Sequence, residues 1–332
     1  AAVTAVSVDP AATRAAHGVE AIDHRDLPGV VLAARRAAAV VLGGGGLVQD
    51  QTSPWNLPYH LSRVWAARAW RTPVAAVGLG AGPVDTRLGR AFARATLAPL
   101  ATVTTRDAAS AEVLHDRGAA APTVAADLAL SLPVPEVAAT DRLVVALRPW
   151  RGRRRALPVG VSRPGAEAAP PWFVDGVASA LDAAAGATGL AVRFVALQAD
   201  RDGPLHEQVA GRMRTPATTC RPGLDTVVDE IAAGRLVVAM RYHALVAAVL
   251  GARPRVALTD SPTVASLAAD AGAGTAALGW SRDGLAGLAG AVERAAAAGE
   301  GTAAALAEAR ERLRRREQAN GDALARVLPV LA

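Results

Sequence analysis

The chain has 332 residues, a formal charge of +6 and hydrophobic side chains at 52% of positions, enough for more than one buried core. Only 3% of residues are aromatic, so those cores must be built from Val, Leu and Ala, and the single cysteine, Cys220, excludes an internal disulfide and a cysteine-based metal site. All 36 basic residues are arginine. That surplus fits either a nucleic-acid patch or a codon bias towards Ala, Arg and Gly, and the second reading is preferred, with no nucleic-acid partner.

Short β-type runs alternate with helical segments, which predicts α/β layers with parallel sheets. Strands are expected over Val3–Val8, Ala38–Leu42, Val74–Val77, Ala101–Thr104 and Thr123–Ala125, with helices near Leu27–Arg36, Asn56–Trp70, Thr86–Ala98 and Asp107–Arg117. Within Asn56–Trp70 the spacing puts Leu57, Leu61, Val64 and Trp65 on one face. Gly118 is placed to cap the helix before it. The proline-punctuated Leu132–Thr140 then interrupts the pattern. It divides the chain into two Rossmann-like domains, expected over 1–135 and 141–332. The second half offers strands at Leu143–Leu147, Ala191–Leu197, Leu236–Ala239 and Arg255–Thr259. Its helices are expected at Trp172–Ala185, Leu224–Ala233, Tyr242–Leu250 and Asp283–Ala297, with a loop over Arg151–Pro170. Thr302–Leu331 reads as a charged helix broken near Asn320-Gly321. No apolar run reaches the ~18 residues of a membrane span and no secretory leader is visible, so a cytoplasmic protein is expected. Because the first residue is Ala1 and not Met, trimming of the chain is considered.

In doubly wound sheets, ligands bind beyond the carboxyl ends of the strands, and three segments with suitable chemistry fall there. Gly43-Gly44-Gly45-Gly46, followed by Gln49-Asp50, follows a strand. Its glycines could present N–H groups to an anion or simply form a tight turn. Arg106 follows the strand Ala101–Thr104, and Asp107 is a good N-cap for the next helix; Arg106 faces a ligand or pairs with a carboxylate. Met240-Arg241-Tyr242-His243 joins a strand end to a helix N-terminus. A helix N-terminus attracts anions, which Arg241 could grip, while His243 could transfer a proton or merely pack in the first turn. Arg148 follows the first strand of the second half and is a further candidate anion ligand. His60 and His115 lie within helices without metal-ligand spacing, His206 sits in a polar stretch with no role assigned, and no metal is expected.

Taken in order, Gly43–Ser53 (GGGGLVQDQTS), Gly78–Pro83 (GLGAGP), Thr104–Ser110 (TTRDAAS), Thr123–Asp127 (TVAAD) and Ala239–Ala244 (AMRYHA) resemble the polysaccharide pyruvyltransferase family, especially its bacterial cell-wall (CsaB) type. His24-Arg25-Asp26-Leu27-Pro28 also looks like that type. The resemblance implies two Rossmann-like domains facing across a cleft, as in GT-B glycosyltransferases. It also implies phosphoenolpyruvate as donor substrate, no cofactor, and a lipid-linked cell-wall polysaccharide precursor containing N-acetylmannosamine as acceptor, with peripheral membrane contact through that acceptor. The ketal product serves S-layer anchoring. Mapped onto this sequence, the family's active-site residues are Arg106, Arg241 and His243, with Gly43, Gly44, Gly45, Gln49, Asp50 and Arg148 as substrate-binding candidates. Protonation of His243 is expected chiefly with donor bound, because a helix N-terminus opposes the imidazolium and a nearby phosphate favours it.

Two departures stand out. The family opens with a strand and glycine-rich loop that this sequence lacks, so it is either a fragment or a domain short of one wall. Thr263 stands where the cell-wall type carries a lysine, leaving donor affinity weak or supplied by another arginine. A GT-B glycosyltransferase using a nucleotide sugar, and a non-catalytic relative that binds a sugar polymer, are the alternatives.

Overall fold

The computed structural model describes residues 2–50, 55–100, 102–149, 169–272 and 274–328, without the side chains of residues 299 and 300. The chain divides into two compact units, Ala1–Leu128 with Glu317–Ala332, and Ala129–Arg316.

The first unit runs β1 (Thr4–Ser7), α1 (Pro10–His17), β2 (Glu20–Asp23), α2 (Leu27–Arg36), β3 (Val40–Val48), α3 (Asn56–Ala69), β4 (Val74–Ala81), α4 (Arg87–Leu97), β5 (Thr102–Thr105), α5 (Ala108–Asp116) and β6 (Thr123–Val124). Strands β3-β4-β5-β6 form one parallel sheet in sequence order, and β1 and β2 a parallel pair. β4 is buried along its whole length. Its run of small apolar residues suits a strand covered on both faces. Ala76 and Leu79 pack in the core that holds Leu57, Leu61 and Val64 of α3, whereas Ala75 and Val77 pack with Ala323 near the chain's end.

The second unit contains β7 (Thr140–Ala146), α6 (Pro171–Thr188), β8 (Ala191–Val195), α7 (Ala199–Ala210), β9 (Ala217–Cys220), α8 (Val227–Ala232), β10 (Gly234–Ala239), α9 (Tyr242–Leu250), β11 (Arg255–Leu258), α10 (Pro262–Ala271), β12 (Thr275–Leu278), α11 (Arg282–Ala286) and α12 (Leu288–Ala297). The long α13 (Gly299–Val327) begins here and ends in the first unit. The six strands are all parallel in the order β12-β11-β10-β7-β8-β9. Counted within the unit this is the 3-2-1-4-5-6 order of a Rossmann sheet. Its winding reverses between β7 and β10, so the crevice for a ligand lies beyond their carboxyl ends. Arg255, fully buried, donates to the carbonyls of Ala248, Arg253 and Ala271 and to Thr275 Oγ1. It thus serves the carbonyl-rich ends of α9 and α10, and burial lowers its pKa to about 10.

Several expectations are revised. The glycine run is no loop after a strand: β3 continues through Val48, with positive φ at Gly44 (49°) and Gly45 (86°) and a register shift before Val48. Trp65 does not share the buried face of α3; Ala67 does, and Trp65 is 42% exposed. α13 is not broken at Asn320-Gly321. Asn320 instead faces inward, accepting from Thr104 Oγ1 at 2.5 Å and donating to the Ala126 carbonyl at 2.9 Å. Those bonds carry Glu317 onwards into the first unit and not into a domain ending at 332. The expected loop Arg151–Pro170 lies outside the described residues up to position 168.

Candidate active site

At the switch point of the second unit, two arginines converge. Arg148 follows β7, and Arg241 follows β10 as the N-cap of α9. Arg148 stacks over Trp280, its Cζ 4.7 Å from the ring centroid, and its Nη2 lies 3.5 Å from Asp260 Oδ1. Burial presses its pKa below the usual guanidinium range; Asp260 pulls it back up and the Arg241 charge pushes it further down. The two guanidinium groups thus lie at the same strand-end crevice, near enough for their charges to act on one another, and each has a carboxylate partner.

Arg241 is oriented from behind. Asp202 on α7, with no exposed surface, accepts from Arg241 Nε at 3.2 Å and from its Nη2. Gln198 Oε1 accepts from the same Nη2 at 3.0 Å. Asp202 also accepts from the backbone N–H of Gln198 at 2.9 Å, fixing the start of α7. One helical turn on, His206 is fully buried and stacked on Phe194, with ring centroids 5.1 Å apart. The Leu147 N–H lies 3.1 Å from its Nε2. Burial, the largest cause, drives its pKa down to about 4. His206 is therefore neutral and structural, holding the backbone beside Arg148. His243 projects from the first turn of α9, exposed and edge-on to Tyr242 at 5.6 Å. The sequence reading missed Asp202 and Gln198. Their only trace was the four-residue spacing of Asp202 and His206 on one helix face.

Thr263 is buried at the start of α10, its Oγ1 3.1 Å from Ser261 Oγ. Arg148, paired with Asp260 of the same β11–α10 connection, brings a cation to the neighbourhood of that neutral residue.

In the first unit Arg106 is 7% exposed and paired: its Nε lies 3.4 Å from Asp107 Oδ2 and its Nη1 3.6 Å from Asp127 Oδ2. It is not the open arginine that one reading of the strand end gave. Asp107 also caps α5, accepting from the Ser110 N–H at 2.7 Å. The glycine segments make room for this guanidinium. A Cβ on Gly80 would stand 2.6 Å from Arg106 Cζ, and one on Gly46 3.9 Å from its Nη2. Gly43, Gly44 and Gly45 lie inside β3, where Cβ atoms on Gly43 and Gly44 would approach Leu128. The Asp50 carboxylate is occupied structurally, accepting from the N–H groups of Asp85 and Thr86 (2.9 Å each) and from Thr86 Oγ1 (2.7 Å). Gln49 gives its backbone carbonyl to Asn56 Nδ2 at 3.0 Å, tying β3 to α3. Thus Arg148, Arg241 and His243 occur together in the second unit, and Arg106 with the glycine strands in the first. Among the described residues, no group of His, Cys, Asp or Glu is arranged to hold a metal.

No curated protein matches the chain in sequence. Among solved structures, an S. aureus MnaA–UDP complex is similar over 98% of this chain and 88% of its own, with 11% identity and a TM-score of 0.60. A putative UDP-N-acetylglucosamine 2-epimerase from Listeria monocytogenes is similar over 96% and 85%, with 11% identity and a TM-score of 0.57. Anabaena Alr3699/HepE, solved with UDP and glucose, is similar over 97% and 89%, with 15% identity and a TM-score of 0.57. At such identities the likeness establishes the fold alone, which is of the GT-B class. The polysaccharide pyruvyl transferase family model matches residues 1–262, a span that takes in both the Arg106 segment and the Arg241–His243 segment. With most of the chain matched and both arginine segments inside the match, the protein belongs to the polysaccharide pyruvyl transferase family and is a transferase enzyme.

Proposed function

We propose that the enzyme transfers pyruvate from phosphoenolpyruvate to an N-acetylmannosamine residue of a lipid-linked cell-wall polysaccharide precursor, forming a ketal. The observation that carries this reading is the pair Arg148 and Arg241 at the β7/β10 switch point, with His243 in the first turn of the adjoining helix. Phosphoenolpyruvate bears a phosphate and a carboxylate, and two arginine forks match two anionic groups. Arg148 supplies the charge that Thr263 does not. Arg106 is the first unit's functional arginine.

In this mechanism His243 gives a proton to the donor's methylene carbon, leaving an oxocarbenium-like centre at C2. A sugar hydroxyl adds there, its proton returning to the imidazole. The C2–O bond to phosphate then breaks, and a second hydroxyl closes the ketal while its proton leaves with the phosphate. General acid catalysis of this kind is worth ~10²–10⁴-fold. The test is phosphate release from phosphoenolpyruvate with an N-acetylmannosaminyl lipid acceptor, for the wild type and His243→Ala. Acceptor-dependent release that the substitution abolishes supports the reading. Release of nucleoside diphosphate from a nucleotide sugar, with phosphoenolpyruvate untouched, would overturn it.

A further inference from the structure

The outer surface of α2 and α3 has a composition that the rest of the chain does not prepare for. The protein contains only six tryptophans and two tyrosines. Yet Trp55 (59% exposed), Tyr59 (39%), Trp65 (42%) and Trp70 (48%) all stand on α3 or its two caps. Trp55, Tyr59 and Trp70 follow one another at offsets of four and eleven residues, which places them on a single outward stripe. α2 packs beside α3, and its exposed Leu32 and Arg35, three residues apart on one face, adjoin Trp70 through the Arg35 guanidinium. The inward faces of both helices are satisfied, by Val30 and Ala34 on α2 and by Leu57, Leu61 and Val64 on α3. The fold ties in some of these rings, since Trp65 stacks on Phe92 and donates to Thr96 Oγ1 at 2.7 Å and the Tyr59 hydroxyl lies 2.8 Å from His24 Nδ1, but Trp70 and Leu32 still face outward.

Each of three rings carries an arginine. Arg63 lies 4.0 Å over Tyr59, Arg35 lies 4.6 Å over Trp70 and Arg68 lies 5.3 Å over Trp65. From Leu27 to Val84 the sequence has one carboxylate, Asp50, and it is buried and bonded to the start of α4. Asp23 and Asp26, at the near end of α2, accept from the N–H groups of Arg25 and Gly29. The surface thus combines amphipathic rings and aliphatic side chains with more arginines than carboxylates. Tryptophan and tyrosine settle at the headgroup level of a bilayer, and arginine reaches headgroup phosphates while its stem stays in apolar surroundings. A face of this kind complements an anionic membrane.

We propose that the outer face of α2 and α3 docks the first unit on a lipid bilayer rich in anionic headgroups. The exposed Leu32 favours this occupant over single-stranded nucleic acid, which needs rings for stacking but no aliphatic surface. The inference stands on this surface and not on the donor or acceptor chemistry, although docking serves a lipid-linked acceptor directly.

The test is co-sedimentation of the full chain with phosphatidylcholine vesicles, with and without phosphatidylglycerol, at low and high salt. The wild type should bind the phosphatidylglycerol vesicles and be released by salt. Arg35→Gln and Arg63→Gln should each weaken binding about five-fold, and the Trp55→Ser, Trp70→Ser pair at least about ten-fold. Arg35, Trp55 and Trp70 are exposed and Arg63 is half-buried at the surface, and circular dichroism should be unchanged in all of the variants. Pyruvyl transfer to a soluble sugar acceptor should also persist in these variants, which separates failure of docking from failure of the catalytic reading. Equal binding by wild type and variants, or none to either vesicle, would overturn the proposal. So would light scattering showing self-association that the tryptophan substitutions abolish, or retention on single-stranded RNA that they abolish.

Discussion

Replacing Asp202 with asparagine tests whether Arg241 acts only when held in place. The side chain keeps its shape but loses its charge, and one of its two oxygens becomes an N–H donor. In the native structure that carboxylate accepts three bonds, from Arg241 Nε, Arg241 Nη2 and the Gln198 N–H. All three partners are donors, so the new amide must face one of them. Hydrogen bonds to charged groups contribute about 1.5–3 kcal/mol each, and a buried pair that loses one partner costs about 3–5 kcal/mol. Arg241 keeps 21% of its side-chain surface exposed, so water relieves part of the loss, and about 2–3 kcal/mol of stability is the expected change. The effect on catalysis has a different signature. Removing a negative charge behind Arg241 raises the local attraction for an anionic donor, whereas a guanidinium free to swing is badly placed for the transition state. KM should therefore change little while kcat falls about 10²-fold, the size that follows from a displacement near 1 Å. Gln198→Ala, which removes one neutral acceptor at 3.0 Å, should cost only a few-fold. Steady-state kinetics on folded protein, with thermal melts alongside, make the distinction. If Asp202→Asn melts early yet turns over at the wild-type kcat, Asp202 is a structural residue alone and the positioning argument is wrong.

Two further outcomes follow from packing and titration. Gly80→Ala places a methyl 2.6 Å from the Arg106 Cζ, and Arg106 cannot swing away because Asp107 and Asp127 flank it. Overpacking of about 1–3 kcal/mol and loss of transfer activity are expected, whereas Gly46→Ala, with 3.9 Å of clearance, should melt like the wild type. The His206 pKa is about 4 in the fold against 6.5 for the free side chain, so the folded state holds the neutral ring. Its contribution is complete above pH 6.5 and is lost as pH falls towards 4, where the unfolded chain takes up the proton first, for a total of roughly 3 kcal/mol. His206→Gln should flatten that part of the stability–pH curve, as measured by urea melts across the range; an unchanged slope would remove His206 from the account.

The sequence by itself determined the α/β class and a two-part organisation, and it offered Arg106, Arg241 and His243 through their motifs and Arg148 through its place after a strand as candidates. Strand ends and helix starts are local features, written in short apolar runs, Asp107 as a cap and a glycine at Gly118, and the arginines fall beside them. Elements with weak local patterns were lost. β9 is Ala-Thr-Thr-Cys and half polar, and α7 is polar nearly all round, with a proline inside it. That polarity also hid Asp202 and His206, because a buried charge among charged neighbours has no apolar frame to announce it. The rest depended on distant partners. Asp50 looked like a ligand residue until residues 35 and 36 positions away claimed both its oxygens. Asn320-Gly321 looked like a helix break until Thr104 and Ala126 supplied bonds that outweigh the ~1 kcal/mol cost of a helical glycine. Trp65 has the spacing of a core stripe, but only tertiary packing decided that Ala67 turns into the core while Trp65 lies partly exposed against α4, stacked on Phe92 and donating to Thr96 Oγ1. Side-chain pattern sets which faces a helix has, and tertiary packing sets which of them is buried.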